Sequence, residues 1–264
     1  MHFNLKQEFK INQDDLKDPI VLIGWPGIAL VAKLAIMTIK DSINADLFLT
    51  IEYFDFAPKA VVGKNGSLEI PSAKVYYQSS DKTNQKNDMF ILTAEYQPQS
   101  PRGVFEFSKN FCEEMDRICG GNIKMYVSMG ALITDNIMDT PIIHVCGTND
   151  IIKSFLEFEN TTLMKGGLIA GANGILPAWA GTNDFAPGIC LLAETIPLPM
   201  MTLDPRASKA LITLLRDYFK IKIDISDIDK KIEEMESMFI SFKKQADSFM
   251  RDAQEDLGSD SYFR

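Results

Sequence analysis

Four consecutive apolar residues, Ile20-Val21-Leu22-Ile23, run straight into Gly24-Trp25-Pro26-Gly27 and then into a long apolar stretch. No other segment constrains the fold as much. A strand that is apolar at every position, not at alternate ones, is buried on both faces, as in sheets covered by helices on each side. The Gly-Trp-Pro-Gly segment turns the corner, and residues 28–43 read as a helix that is apolar nearly all round. Together they predict a tight βα unit. Residues 20–39 also imitate a membrane span, but the corner breaks the run and Lys33 would sit near the bilayer centre at a cost of ~3 kcal/mol. Residues 1–6 lack the apolar stretch of a signal peptide. The expectation is a soluble, cytoplasmic protein with no membrane partner.

The same alternation of strand and helix continues along the chain. Phe3, Leu5, Phe9 and Ile11 hold the odd positions of an entry strand, and residues 47–56 and 75–77 read as further strands. Asn65-Gly66, set between the apolar runs Ala60-Val61-Val62 and Leu68-Glu69-Ile70, predicts a hairpin. Residues 79–87 are polar and read as an exposed loop. Met89-Phe90-Ile91-Leu92-Thr93-Ala94 reads as a second buried strand; residues 124–129, 141–146 and 189–193 follow. Helices are expected at 102–119, opened by Pro101 and closed by Gly120-Gly121, at 206–219, and over a short span at 150–158. Residues 163–175 are rich in glycine and residues 197–205 form a proline-bearing loop. Strands interleaved with helices define an α/β fold: a three-layer body with a mixed, largely parallel sheet. At 264 residues and 46% hydrophobic, the chain has material for one large core and an appendage.

That appendage is the last forty residues. Ile225, Ile228, Ile232, Met235, Phe239, Phe242, Ala246, Phe249 and Ala253 recur in steps of three and four, the spacing of a bundle or coiled-coil seam. Ser226 stands at the N-cap position with Asp229 three residues on. Such a helix would run about 45 Å. It either lies back on its own body or packs on a neighbouring copy; the pattern suits both. The organisation is therefore read as a body over 1–222, a heptad helix over 223–257, and a flexible tail over 258–264. Gly258-Ser259-Asp260-Ser261 is polar, yet the chain stops on Tyr262, Phe263 and Arg264. Two rings beside a free terminal carboxylate suit capture in a partner's groove.

The formal net charge of −9 argues against nucleic acid, which needs a basic footprint. Cys112, Cys119, Cys146 and Cys190 include no C-x-x-C pair and read as buried thiols. Catalytic signatures are thin. Gly166 and Gly171 have P-loop spacing, but Ala172-Asn173 follow where Lys-Ser/Thr is required. His144 lies mid-strand between apolar neighbours, and one histidine with scattered cysteines makes a poor zinc site. No metal and no cofactor is expected. A strand-end cleft is the remaining candidate: Gly24, Trp25, Pro26 and Gly27 at the corner, Glu95 and Glu194 each ending a buried strand, and Gly174 in the glycine-rich stretch. Glu95 and Glu194 either share acid–base work there, or cap helices or pair with Arg102 and Arg206. The glycines either admit an anion or allow tight packing.

Several blocks resemble the proteasome assembly chaperone family in its archaeal and bacterial branch. Gly24-Trp25-Pro26-Gly27-Ile28-Ala29-Leu30-Val31 is similar to its G-x-P-G-I-G-L-V start, and Ala94-Glu95-Tyr96-Gln97-Pro98 to its G-E-x-Q-P block. Gly174-Ile175-Leu176, Leu191-Leu192-Ala193-Glu194-Thr195 and Asp204-Pro205-Arg206-Ala207 resemble its later blocks, with Ala29 and Ala94 standing where the family carries glycine. The resemblance implies a phosphorylase/hydrolase-like α/β body without enzymatic activity that assembles with itself as a homo-oligomer. It also implies docking on the α subunits of the 20S proteasome through a C-terminal hydrophobic–aromatic–any tripeptide. In this chain Tyr262, Phe263 and Arg264 occupy those places, and phenylalanine for the commoner tyrosine removes a hydroxyl. The alternative is a small-molecule-binding protein or enzyme, handling a nucleoside or a carboxylate in the strand-end cleft.

Overall fold

The apolar tetrad forms the centre of the sheet. In a computed structural model of the chain, which describes residues 3–241 apart from 64, 84, 136–139, 149 and 197–201, Ile20–Gly24 (β2) is buried at all five positions. It pairs in parallel with Met89–Ala94 (β7) on one side and Met125–Ile133 (β8) on the other. Gly188–Thr195 (β11) continues the parallel centre beyond β8. Antiparallel pairings flank it. On the β7 side come Ser72–Gln78 (β6), Asp46–Tyr53 (β3) and Phe3–Gln7 (β1); on the β11 side come Ile143–Gly147 (β9) and, parallel to β9, Thr161–Leu163 (β10). The order is β1-β3-β6-β7-β2-β8-β11-β9-β10. Val61–Val62 (β4) and Leu68–Glu69 (β5) form the hairpin around Asn65-Gly66 as a separate two-stranded sheet.

Helices cover both faces. Val31–Ser42 (α1) and Pro205–Phe219 (α6) pack together on one, Pro101–Cys119 (α3) and Ala172–Thr182 (α5) on the other. This is the expected three-layer α/β architecture. Beneath α3 lies an aromatic cluster centred on Phe107, which Trp25, Tyr53 and Phe3 meet edge-on at centroid distances of 5.1, 5.4 and 5.5 Å. Edge-to-face pairs of this kind add about 0.5–1.5 kcal/mol each beyond their buried area. Among the described residues no helix is long and apolar enough to cross a membrane.

The structure departs from the sequence reading in several places. The helix expected from Ile28 begins at Val31; Ile28–Leu30 is a 3-10 turn in which Ala29 and Leu30 are left-handed. The polar excursion at 79–87 contains a short helix, Ser80–Thr83 (α2), and the helix expected over 150–158 contracts to Ile152–Phe155 (α4). Helix α5 was not expected at all, because Gly174, Pro177 and Gly181 punctuate it. By backbone contacts the chain divides into Met1–Asp224 and Ile225–Arg264. In the second unit residues 226–241 are helical (α7), and the Asp229 N–H closes the first turn on the Ile225 carbonyl, one residue ahead of Ser226.

Candidate functional site

The C-terminal ends of β2, β7, β8 and β11 all face one way, the edge where open α/β sheets place ligands. A groove of about 440 Å³ lies there, walled by Gly27, Ile28 and Ala32 after β2, Gln97 after β7, the end of β8, Leu192 of β11 and Asn173 of α5. A second, of about 360 Å³, shares Met164, Leu168 and Ile169 with the first and extends over Cys146, Gly174, Pro177 and Cys190. The shared residues belong to the glycine-rich stretch before α5, which spans both hollows as a strap. Gly174 lets the strap approach: a Cβ there would stand 2.5 Å from the Ile169 carbonyl oxygen.

Two amides organise the first groove. Gln97 donates from Nε2 to the Pro26 carbonyl at 2.7 Å and accepts at Oε1 from the Ala172 N–H at 2.9 Å. Its oxygen therefore holds the N-terminus of α5, the place an anion would take. Gly171, the N-cap, adopts φ 76°, and a Cβ there would strike that same Gln97 oxygen. Asn173 Oδ1 accepts from the Trp25 N–H at 3.4 Å. The neighbouring helices are capped from within as well: Ser100 accepts from Gly103 N–H at α3, and Asp204 from Arg206 and Ala207 N–H at α6. The remaining walls are apolar, and Ile28, Leu30, Ile133 and the fully exposed Leu168 stand uncovered near the mouth. Such a groove suits binding of apolar groups, with its amides already committed to the fold.

The residues anticipated at the strand ends are distributed rather than gathered. Trp25 is fully buried against Phe107, and Pro26 is held by Gln97. Gly24 serves packing, since a Cβ there would meet the Ile36 Cβ at 2.5 Å. Gly27 lines the first groove and Gly174 the second. Glu95 and Glu194 end β7 and β11, which are three strand spacings apart, about 14 Å. They cannot act on one bond. Neither takes the arginine anticipated from sequence. Glu95 pairs with Lys33 Nζ at 3.2 Å beside a small pocket of about 130 Å³ that Lys74 and Tyr76 also line. Lys33 also donates to the Ala94 carbonyl and Thr93 Oγ1, and burial lowers its pKa from the ordinary lysine value. Glu194 Oε1 meets His144 Nε2 at 2.9 Å, whereas Arg102 pairs with Glu106. Tyr262, Phe263 and Arg264 lie outside the described residues.

Sequence reasoning missed the two organising amides. Gln97 stood within the Ala94-Glu95-Tyr96-Gln97-Pro98 block, and Asn173 was noted only as the wrong residue for a P-loop. A polar side chain just after each strand–helix corner was the available signal.

A parallel-centred α/β sheet with a Gly-x-Pro-Gly corner pinned by a glutamine and an asparagine defines the class. Residues 21–240 match the PAC2 family, and the chain belongs to it. An uncharacterized protein of Methanocaldococcus jannaschii, MJ1210, is 25% identical over 244 residues, spanning 91% of this chain and 89% of its own. Among solved structures, the fold matches Pyrococcus furiosus PbaB, described as an archaeal proteasome activator, with a TM-score of 0.81 at 23% identity, covering 91% of this chain and 98% of that one. It also matches P. furiosus PbaA, an archaeal homolog of proteasome-assembly chaperone, with a TM-score of 0.71 at 20% identity, covering 98% and 99%.

Proposed function

We propose that this chain is a non-enzymatic, proteasome assembly chaperone-like or accessory protein of the cytoplasm. It works as a homo-oligomer and docks on the α ring of the 20S proteasome through Tyr262, Phe263 and Arg264. The observation that carries this reading is the PAC2 match over residues 21–240, with a hydrophobic–aromatic–any ending after it. The likeness to a proteasome activator and to a chaperone homolog supports it. The interior supports it too: Gln97 and Asn173 hold the corner, and the two carboxylates stand too far apart to cooperate.

One tripeptide binds weakly, whereas several on one oligomer raise avidity by about 10²–10⁴. Deleting residues 262–264, or making Phe263→Ala, is expected to remove co-sedimentation with 20S particles while far-UV circular dichroism and Tm stay unchanged. Retained binding by both variants overturns the docking route. The groove between Gly27 and Leu192 favours a second reading, a small-molecule site. It predicts that a nucleoside or carboxylate ligand raises Tm in a thermal-shift screen and that the truncation leaves this effect intact.

A further inference from the structure

Two thiols face each other across the β9–β11 ladder. Cys190 is in register with Cys146. Thr148 N–H donates to Gly188 O at 2.8 Å and Glu194 N–H to Ile142 O at 2.9 Å, and the antiparallel pattern repeats every two residues. The cysteines therefore fall on the hydrogen-bonded phase, where opposed Cα atoms stand about 5.5 Å apart. That Cα separation is within the disulfide range, but opposed Cβ atoms on this phase stand about 5 Å apart, beyond the roughly 3.5–4.5 Å of a relaxed disulfide. Closing the bond therefore draws the two strands together and leaves it readily reduced. Their side chains share one face of the sheet. Both line the groove of about 360 Å³ beneath the strap, Cys190 buried and Cys146 half-buried.

The surroundings make the two sulfurs unequal. The Cys146 thiol donates to the Cys190 carbonyl at 3.6 Å. Once ionised, its sulfur accepts from the Cys190 thiol, and this contact holds Cys146 below the ordinary thiol range. The same contact, with complete burial, holds Cys190 well above it. Cys190 Sγ also lies 3.8 Å from Ser128 Oγ. The other two cysteines differ in every respect. Cys112 and Cys119 lie two turns apart on α3, buried in the aromatic core, where burial pushes both up to about 12.

We propose that Cys146 and Cys190 form a cross-strand redox pair, in which Cys146 meets hydrogen peroxide entering the groove and Cys190 closes the disulfide. The Cys146 thiolate attacks one peroxide oxygen; an S–O bond forms, the O–O bond breaks, and hydroxide leaves and takes up a proton as water. Cys190 then gives up its proton and attacks the Cys146 sulfur. The S–S bond forms, the S–O bond breaks, and the departing hydroxide joins that proton as a second water. Two thiols lose two electrons and the peroxide gains them; a dithiol reductant reverses the change. The bond would tie a loop containing the strap and α5, so oxidation fixes the cover of both grooves.

The test uses the full-length protein with hydrogen peroxide, followed by alkylation and mass spectrometry. Expected is a loss of about 2 Da, one linked peptide pair holding Cys146 and Cys190, and recovery with dithiothreitol. Cys190→Ser is expected to leave a sulfenic acid on Cys146 that dimedone traps. Without oxidant, iodoacetamide at neutral pH should label Cys146 at least about tenfold faster than Cys112. A disulfide through Cys112 or Cys119, dimers linked through Cys146, or equal labelling of Cys146 and Cys112 each overturns the proposal. The unsubstituted protein alone decides these, so the outcome does not depend on the variant folding.

Discussion

Ala29 and Leu30 are two successive residues without the freedom of glycine, at φ 45° and 47°. Left-handed backbone costs such residues about 1–2 kcal/mol each, so the surroundings must impose it. They do. The Ala29 carbonyl accepts from the Asp204 N–H at 2.8 Å, and the Val31 carbonyl from Ser208 Oγ at 3.0 Å, both from the start of α6. Ala29→Gly is expected to stabilise the protein by about 1 kcal/mol, the relieved strain exceeding the entropy that glycine adds to the unfolded chain. Urea unfolding measures it, and a loss of stability would refute the strain argument. The corner at Gly24-Trp25-Pro26-Gly27 was legible, because proline and glycine announce a turn locally. The left-handed pair was not, because Asp204 and Ser208 fix it from far along the chain. The partners of Glu95 and Glu194 were hidden for the same reason: Lys33 and His144 reach them only once the strands are in order.

Helix α5 shows the same limit at the scale of an element. Strands β2, β7 and β11 declare themselves by unbroken apolar runs, and α3 by its cap and its closing glycines. Helix α5 carries Gly174, Pro177 and Gly181 in eleven residues and reads locally as a loop. Pro177 has no N–H to give the carbonyl of Asn173, four residues back. Ser128 of β8 supplies the missing donor, its hydroxyl reaching that carbonyl at 2.5 Å in a fully buried position. The proline is thus tolerated because the sheet completes the helix. Ser128→Ala should cost about 1–3 kcal/mol by leaving a buried acceptor unmatched. In Pro177→Ala the backbone regains its own donor, so the double variant should lose less than the sum of the single ones, with a coupling of about 1 kcal/mol. Denaturant unfolding of the four proteins closes the cycle; strict additivity would mean that the serine does not stand in for the missing N–H.

For the molecule as a whole, the buried acids set how stability responds to base. The alternation of apolar strands and helices made the α/β class legible. It did not disclose the sheet order, so the cysteines could be read as buried thiols but not ranked by depth. Cys112 and Cys119 lie deep inside, with pKa values pushed by burial from 9.0 to about 12. An acid whose pKa is raised on folding contributes stability that is complete below its unfolded value and is lost as pH climbs towards the folded one. The window here opens near pH 9. Burial raises Tyr53 to about 12 and Tyr126 well above its ordinary value, so both act in the same direction. Lys33 opposes them, since its lowered pKa means the folded state sheds its proton first and gains stability as pH rises. Cys146, held low by its contact with Cys190, opposes them too. Cys190, raised by that contact and by burial, and Tyr76 and Tyr77, raised by burial, add to the falling side, so the raised groups outnumber the lowered ones. Cys112 and Cys119 should each withdraw about 2 kcal/mol by pH 10.5, enough to outweigh the lysine. Denaturant unfolding between pH 8 and 10.5 should therefore show stability falling steadily. Cys112→Ala with Cys119→Ala lowers stability at every pH through the space left behind, but should make the fall distinctly shallower. An unchanged slope would mean that the two thiols do not stay protonated in the folded protein, and that the core beneath α3 is wetter than its packing implies.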